Sequence, residues 1–143
     1  MQWNPVMAWL VRSVGSFHAA VFRAFGGRGI VARNILLLTT RGRKSGREIT
    51  NPLLYVERDC RRYIVASFGG SDTPPGWYKN LLAHSDVQVE RAGDRRLYRA
   101  RSLDATEAAP IWPLLLAIYP AYADYQKRTT RVIPIVELIP ATA

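Results

Sequence analysis

Cysteine, histidine and acid are scarce in this chain, and each scarcity closes off a kind of chemistry. The one cysteine, Cys60, cannot form an internal disulfide, so nothing in the sequence asks for an oxidising compartment. Between Asp59 and two arginines it reads as a turn thiol without a chemical role. The two histidines, His18 and His84, have no cysteine or second histidine at metal-ligand spacing, which argues against a metal site. No serine–histidine–acid set, paired carboxylates or thiolate arrangement stands out. An enzyme made from this chain would leave its hard chemistry to a bound cofactor. Eleven acids against twenty lysines and arginines leave a formal charge of +9 over 143 residues. That balance favours acidic partners: nucleic acid, an anionic membrane surface or a polyanionic small molecule.

Long apolar runs are missing too. Val6, Leu10, Val14, Phe17, Val21 and Phe25 recur at helical spacing, but Arg12, His18 and Arg23 interrupt them. The pattern predicts an amphipathic helix of roughly 20 residues, too interrupted to span a bilayer or to serve as a signal peptide. Such a helix either packs on its own domain or docks at a membrane interface through Trp3 and Trp9.

What is present reads as one domain. Residues 1–30 form the amphipathic helix and a glycine connector (Gly26, Gly27, Gly29), and residues 31–143 form the main body. Strand-like runs cover 35–40, 49–57, 62–68, 87–91, 95–103 and 132–139. Pro52 inside the second run predicts an edge strand or a bulge. Thr73 and Pro74 resemble an N-cap and first helical residue before a short helix over 77–83. "DATE" at 104–107 opens a helix reaching residue 118, with Asp104 and Glu107 at capping-box spacing and Pro113 as a kink. After Tyr119-Pro120 the helix resumes over 121–128. Hairpin-joined strands with inserted helices predict an antiparallel α+β domain, in the form of a small barrel or strongly curved sheet.

Four stretches could carry chemistry. "TTRGRKSGRE" (39–48) crowds Arg41, Arg43, Lys44 and Arg47 around two glycines with no acid among them. It lacks P-loop spacing, yet exposed N–H groups and converging cations suit phosphate or carboxylate; the plainer reading is a solvated charged turn. "ASFGGSDTPPGWYKN" (66–80) joins a small-residue strand end to a glycine loop and a helix N-terminus, with Trp77 as a ring-stacking face or a core residue. "YPAYADYQKRT" (119–129) spaces Tyr119, Tyr122 and Tyr125 three apart, as pocket lining or as a packing stripe. "RRLYRAR" (95–101) alternates as a strand with a basic outer face; the sharper reading, a nucleic-acid track, is not expected.

Taken in order, "LLLTTRGRKSGREITNPLLYVE", "YIVASFGGSDTPPGWYKNLLAHSDVQVE" and "YPAYADYQKRTTRVIPIVELIP" resemble the deazaflavin-dependent nitroreductases, whose members use coenzyme F420. The resemblance implies a split β-barrel like that of FMN-binding oxidoreductases. It also implies hydride transfer from reduced F420 to a quinone or nitroaromatic acceptor. F420 carries a phosphate and an oligoglutamate tail, so the basic turn would receive a polyanion. On that resemblance Arg43, Lys44 and Ser45 match the tail-binding turn, with Arg47 beside them. Asn51, Pro52, Leu53 and Leu54 match the strand along which the cofactor lies. Ala66 and Ser67 match the strand end beside the deazaflavin ring, and Gly76, Trp77, Tyr78 and Asn80 match the helix-start contacts. Tyr119, Tyr122 and Tyr125 match tyrosines on the substrate side, with Tyr122 the expected proton donor and Ser67 a stabiliser of developing negative charge. Two positions depart from the pattern. Phe68 stands where some relatives have a lysine and Ile49 where others have an arginine; Arg47 lies near enough to compensate at Ile49, and no replacement is evident at Phe68. An FMN-dependent oxidoreductase or flavin carrier on the same barrel is the alternative, although FMN has only one phosphate for four cations. A cytoplasmic monomer or homodimer is expected, peripheral to the inner face of the membrane if the N-terminal helix docks there.

Overall fold

The computed structural model describes residues 34–141, so the expected N-terminal helix and connector lie outside the described residues. Seven strands, β1 (Ile35–Arg41), β2 (Glu48–Leu54), β3 (Val56–Arg58), β4 (Arg61–Val65), β5 (Asp86–Arg91), β6 (Asp94–Ser102) and β7 (Ile135–Pro140), form one antiparallel sheet. Their order is β2-β1-β5-β6-β7-β4-β3. The helices are α1 (Gly76–Ala83), α2 (Ala105–Ala108), α3 (Trp112–Ile118) and α4 (Ala121–Lys127).

The order explains the curvature. β2 and β3 occupy opposite edges of the sheet, yet only Tyr55 separates them in the chain. The two edges must therefore meet, and the sheet curls into the split barrel that was expected. The sequence pattern suggests one strand over 49–57; instead the chain breaks at Tyr55 and changes partner from β1 to β4. Asn34 secures the break, accepting from Tyr55 N–H at 2.9 Å and donating from Nδ2 to the Tyr55 carbonyl at 3.2 Å. Pro52, without an N–H, sits on edge strand β2 opposite Leu37, as its chemistry requires.

Strand alternation separates two cores. Leu36, Leu38, Ile64, Val87, Val89, Val136 and Leu138 cluster with Trp77 and Leu81 of α1. Tyr63, Val65 and Ile135 point the other way and are covered by Ala108, Ile111, Leu115 and Tyr122. Full burial of each such aliphatic side chain contributes roughly 1.5–3 kcal/mol. Glu137 is the exception on this second face. It is buried between its register neighbours Tyr63 and Arg101, accepting from the Tyr63 hydroxyl at 3.0 Å and from Arg101 at 3.2 Å, with Arg61 at 3.3 Å. The paired charge staples β4, β7 and β6 together.

Two hairpins use two-residue loops, Asp59-Cys60 and Ala92-Gly93, with positive φ at all four residues. Such loops match the right-handed strand twist. The capping box forms as expected, Glu107 N–H donating to Asp104 at 2.8 Å and Asp104 N–H to Glu107 at 3.2 Å. The helix it opens is shorter than expected. It stops at Ala108 and restarts at Trp112, because Pro110 lacks an N–H and its ring clashes with the preceding turn, whereas Pro113 is tolerated in the first turn of α3. The expected cap at Thr73-Pro74 also moves. Pro75 disfavours helical backbone at Pro74, so α1 begins at Gly76. Similarly, β4 ends at Val65 rather than 68, and β7 begins at Ile135 rather than 132.

Candidate active site

The basic turn between β1 and β2 is closed by its own backbone. Gly42 N–H donates to the Arg47 carbonyl and Gly46 N–H to the Gly42 carbonyl, both at 2.8 Å. A Cβ on Gly42 would lie 2.5 Å from the Ser45 hydroxyl oxygen, and Gly46 takes a φ of +70°, so both positions suit glycine. Ser45 braces the turn by accepting from Arg47 N–H at 3.2 Å. Arg41, Arg43, Lys44 and Arg47 are exposed, and none forms an ion pair among the described residues.

Asn80 ties this turn to the barrel. Only 2% exposed, it accepts from both the Arg43 backbone N–H (3.2 Å) and the Arg43 guanidinium (2.9 Å), and donates to the buried Thr40 hydroxyl at 3.2 Å. It therefore holds the turn directly. Trp77 of the same helix is buried in the barrel core, Tyr78 is half-buried with its hydroxyl 3.0 Å from that of Ser102, and Gly76 is exposed. On β2, Asn51, Pro52 and Leu53 are half-buried, while Leu54 is buried in the second core.

The loop that follows β4 has an unusual backbone. Phe68, Gly69 and Gly70 all have positive φ (46°, 65° and 82°), making one left-handed turn closed by Gly70 N–H to Ser67 and Ser71 N–H to Phe68. Left-handed helical backbone costs a non-glycine residue about 1–2 kcal/mol, so Phe68 must be held there. Gly70 has no alternative: a Cβ would lie 2.7 Å from the Tyr125 carbonyl oxygen. Arg131 clamps the loop on both sides of Phe68. Its Nε donates to the Ser71 carbonyl at 2.7 Å, and one terminal nitrogen donates to the carbonyls of Ser67 (2.9 Å) and Ala66 (3.2 Å). Burial lowers the Arg131 pKa from its ordinary value, with the nearby Asp72 carboxylate working against that shift. Nothing in the sequence singles out Arg131. It lies 64 residues from Ser67, and its three acceptors are backbone atoms, which leave no residue-type signature.

Gly70 also brings the tyrosine helix to this loop. The Tyr119 and Tyr125 hydroxyls are 2.9 Å apart, and the Tyr119–Tyr122 ring centroids are 5.0 Å apart in an edge-on arrangement. Tyr119 and Tyr125 are half-buried. Tyr122 is 7% exposed and packs in the second core, with no hydrogen bond to its hydroxyl among the described residues. Burial, reinforced by Tyr119 and Tyr125, pushes the Tyr122 phenol well above its usual range. Burial and the Tyr119 hydrogen bond raise Tyr125 to about 12. Tyr122 and Tyr125 therefore keep their phenol protons well above neutral pH.

Asn80 thus links turn 42–47 to α1, Ala66 shares the first core with Trp77 of α1, and Gly70 abuts the tyrosine helix. No group of histidine, cysteine or acidic side chains among the described residues could hold a metal ion.

Comparison with known proteins gives a consistent picture. A family model described as F420H(2)-dependent quinone reductase matches residues 15–140. An F420H(2)-dependent quinone reductase of Mycobacterium tuberculosis strain H37Rv is 34% identical over 146 residues, covering 93% of this chain and 97% of its own. A solved F420-H2 dependent reductase (FDR-A) shares 38% identity with a TM-score of 0.68, covering 74% of this chain and 94% of its own. A chain solved as a domain-swapped dimer shares 32% identity with a TM-score of 0.69, covering 94% and 99%.

Proposed function

This chain belongs to the F420H(2)-dependent quinone reductase family, an oxidoreductase family whose cofactor is coenzyme F420, and from that membership we propose how its residues divide the work. Turn 42–47 takes the phosphate and glutamate tail. The observation that carries this reading is a cluster of four exposed cations without acid partners, Arg41 at the end of β1 and Arg43, Lys44 and Arg47 in the turn, with Arg43 clasped to the barrel by a buried asparagine. Arg43 is oriented by Asn80, while Lys44 and Arg47 remain available to carboxylates, which strong charge-assisted hydrogen bonds favour. Asn51, Pro52 and Leu53 line the path toward the ring, which rests against Ala66, Ser67 and the start of α1.

When bound, the reduced cofactor supplies a hydride. The chain's task is to hold the quinone so that the reacting atoms lie roughly 3–3.5 Å apart. As the hydride adds, an electron pair settles on the quinone oxygen, where the Ser67 hydroxyl and N–H donate to it. A proton then completes the hydroquinone. Tyr122, as enclosed as Ser67 (7% and 8% exposed), is the expected donor, with the half-buried, mutually hydrogen-bonded Tyr119 and Tyr125 as the alternatives. Nitroaromatics, which also develop negative charge on oxygen, are further candidate acceptors. FMN is disfavoured because one phosphate leaves most of the turn's charge unmatched.

The test is reduction of menadione, followed by cofactor oxidation, with F420H2 and FMNH2 supplied in parallel. Turnover with F420H2 alone is expected; turnover only with FMNH2 would keep the barrel and discard the division proposed here. Peripheral membrane docking by residues 1–30 is a separate part of the proposal. Vesicle flotation of the intact chain against one lacking residues 1–28 tests it, and equal flotation would end it. The domain-swapped relative makes a two-chain assembly the form to look for by sedimentation.

A further inference from the structure

We propose that Arg131 is a positioning residue for the acceptor, fixing loop 66–71 and placing a positive charge behind it. The inference rests on the quinone-reductase reading above. Arg131 bonds three carbonyls, those of Ala66, Ser67 and Ser71. Each peptide unit is planar and trans, so its N–H points opposite to its carbonyl. Clamping the carbonyls of residues 66 and 67 therefore turns the N–H groups of Ser67 and Phe68 away from the guanidinium. The Ser67 N–H and hydroxyl have no acceptor among the described residues. The Gly70 and Ser71 N–H groups close the turn on itself, which leaves the Ser67 N–H and hydroxyl as its donors, with the Arg131 charge behind them.

Asp72 offsets that charge only from a distance, without an ion pair among the described residues. Its carboxylate accepts from the Thr129 hydroxyl at 2.7 Å. The backbone around Arg131 is fixed as well. Its carbonyl accepts from the Gln126 amide at 2.8 Å, and the same amide accepts from Ile133 N–H at 2.9 Å. Gln126 lies next to Tyr125 on α4, so loop, arginine and tyrosine cluster are locked into one relative position. Preorganised dipoles aimed at developing charge are worth more than mobile ones, because nothing must reorient during the reaction. Lysine cannot replace this fork, since one ammonium does not present the planar set of donors.

The experiment compares wild type, Arg131→Met and Arg131→Lys, each checked for folding by its melting curve. Two readouts are taken: F420 affinity by tryptophan quenching, and kcat for a series of quinones of graded reduction potential. For Arg131→Met the expected loss in kcat is about 10²-fold. The loss should be greatest for the weakest acceptors, so that the plot of log kcat against potential steepens. F420 affinity should fall by no more than about 10-fold, about 1.4 kcal/mol, because the ring rests against Ala66 and Ser67 but gains most of its affinity from the tail. Arg131→Lys should recover part of kcat and part of the slope. An equal loss for every quinone, a loss of F420 affinity as large as that of kcat, or no loss would overturn the proposal. If Arg131→Met does not fold, Arg131→Lys decides: unchanged kcat with the weakest acceptors overturns it. A wild type that binds F420 but reduces no quinone would remove the functional reading itself, and this proposal with it.

Discussion

Turn 42–47 and loop 66–71 are both associated with positive charge, and in opposite ways. The turn carries its cations on exposed side chains joined to the protein mainly through the Asn80 clasp on Arg43. The loop carries no cation of its own; it borrows one from Arg131, wired to three carbonyls. Exposed charges are screened by salt and give affinity without geometry, whereas a fixed charge behind oriented peptides gives geometry. The difference suits a ligand whose tail needs only to be captured and whose ring must be aimed.

The largest expected effect comes from making the same change in both regions. Gly70 and Gly46 both have positive φ, but a Cβ at Gly70 meets the Tyr125 carbonyl, while at Gly46 nothing lies within 4 Å. Gly46→Ala should cost only the conformational penalty of about 1–2 kcal/mol. Gly70→Ala should cost more than that and also lower kcat at least about 10-fold, because the loop must shift against the tyrosine helix. Melting curves and steady-state rates on the two variants check this; equal penalties would mean that the loop is as compliant as the turn.

Asn80→Ala comes next. It leaves the Thr40 hydroxyl and Arg43 N–H without their partner, a cost of about 1–3 kcal/mol in stability by denaturant unfolding, together with weaker F420 binding. Loss of stability without loss of affinity would uncouple the clasp from the turn. Lys44→Ala should be milder. F420 affinity should fall roughly 3–10-fold at low salt, about 1 kcal/mol, with the difference shrinking as salt rises and kcat unchanged. The smallest effect is spectroscopic. Tyr125 should ionise near pH 12 rather than near pH 10, and Tyr125→Phe should remove that late step from the ultraviolet titration. Because its folded pKa is raised, the stabilisation it contributes is complete below pH 10 and disappears as pH climbs toward 12.

Local chemistry made much of this readable from sequence. The Ala92-Gly93 loop, the Asp104–Glu107 capping box, Pro52 on an edge and the acid-free basic turn each depend on a few adjacent residues. The three motifs in order pointed to the barrel and to the cofactor. What the sequence left hidden was long-range or carried by backbone atoms. Tyr55 is an apolar-run residue by pattern, and only the meeting of the two sheet edges shows why the strand must break there. Arg131 reads as one more cation in a basic chain. Arg131 comes from the segment preceding β7 and reaches the Phe68 loop only through backbone carbonyls, which no residue pattern reveals. The three tyrosines were visible as a set, but their spacing could not show that Tyr122 is buried while Tyr119 and Tyr125 share a hydrogen bond.

The most direct test of the divided site is a parallel titration with F420 and with its tail-less deazaflavin precursor, which keeps the ring but lacks the phosphate and glutamates. Both are followed by tryptophan quenching at low and high salt. F420 should bind far more tightly at low salt and lose most of that advantage at high salt, while the tail-less compound binds weakly at both. Equal affinities, or an F420 advantage indifferent to salt, would contradict the role assigned to turn 42–47.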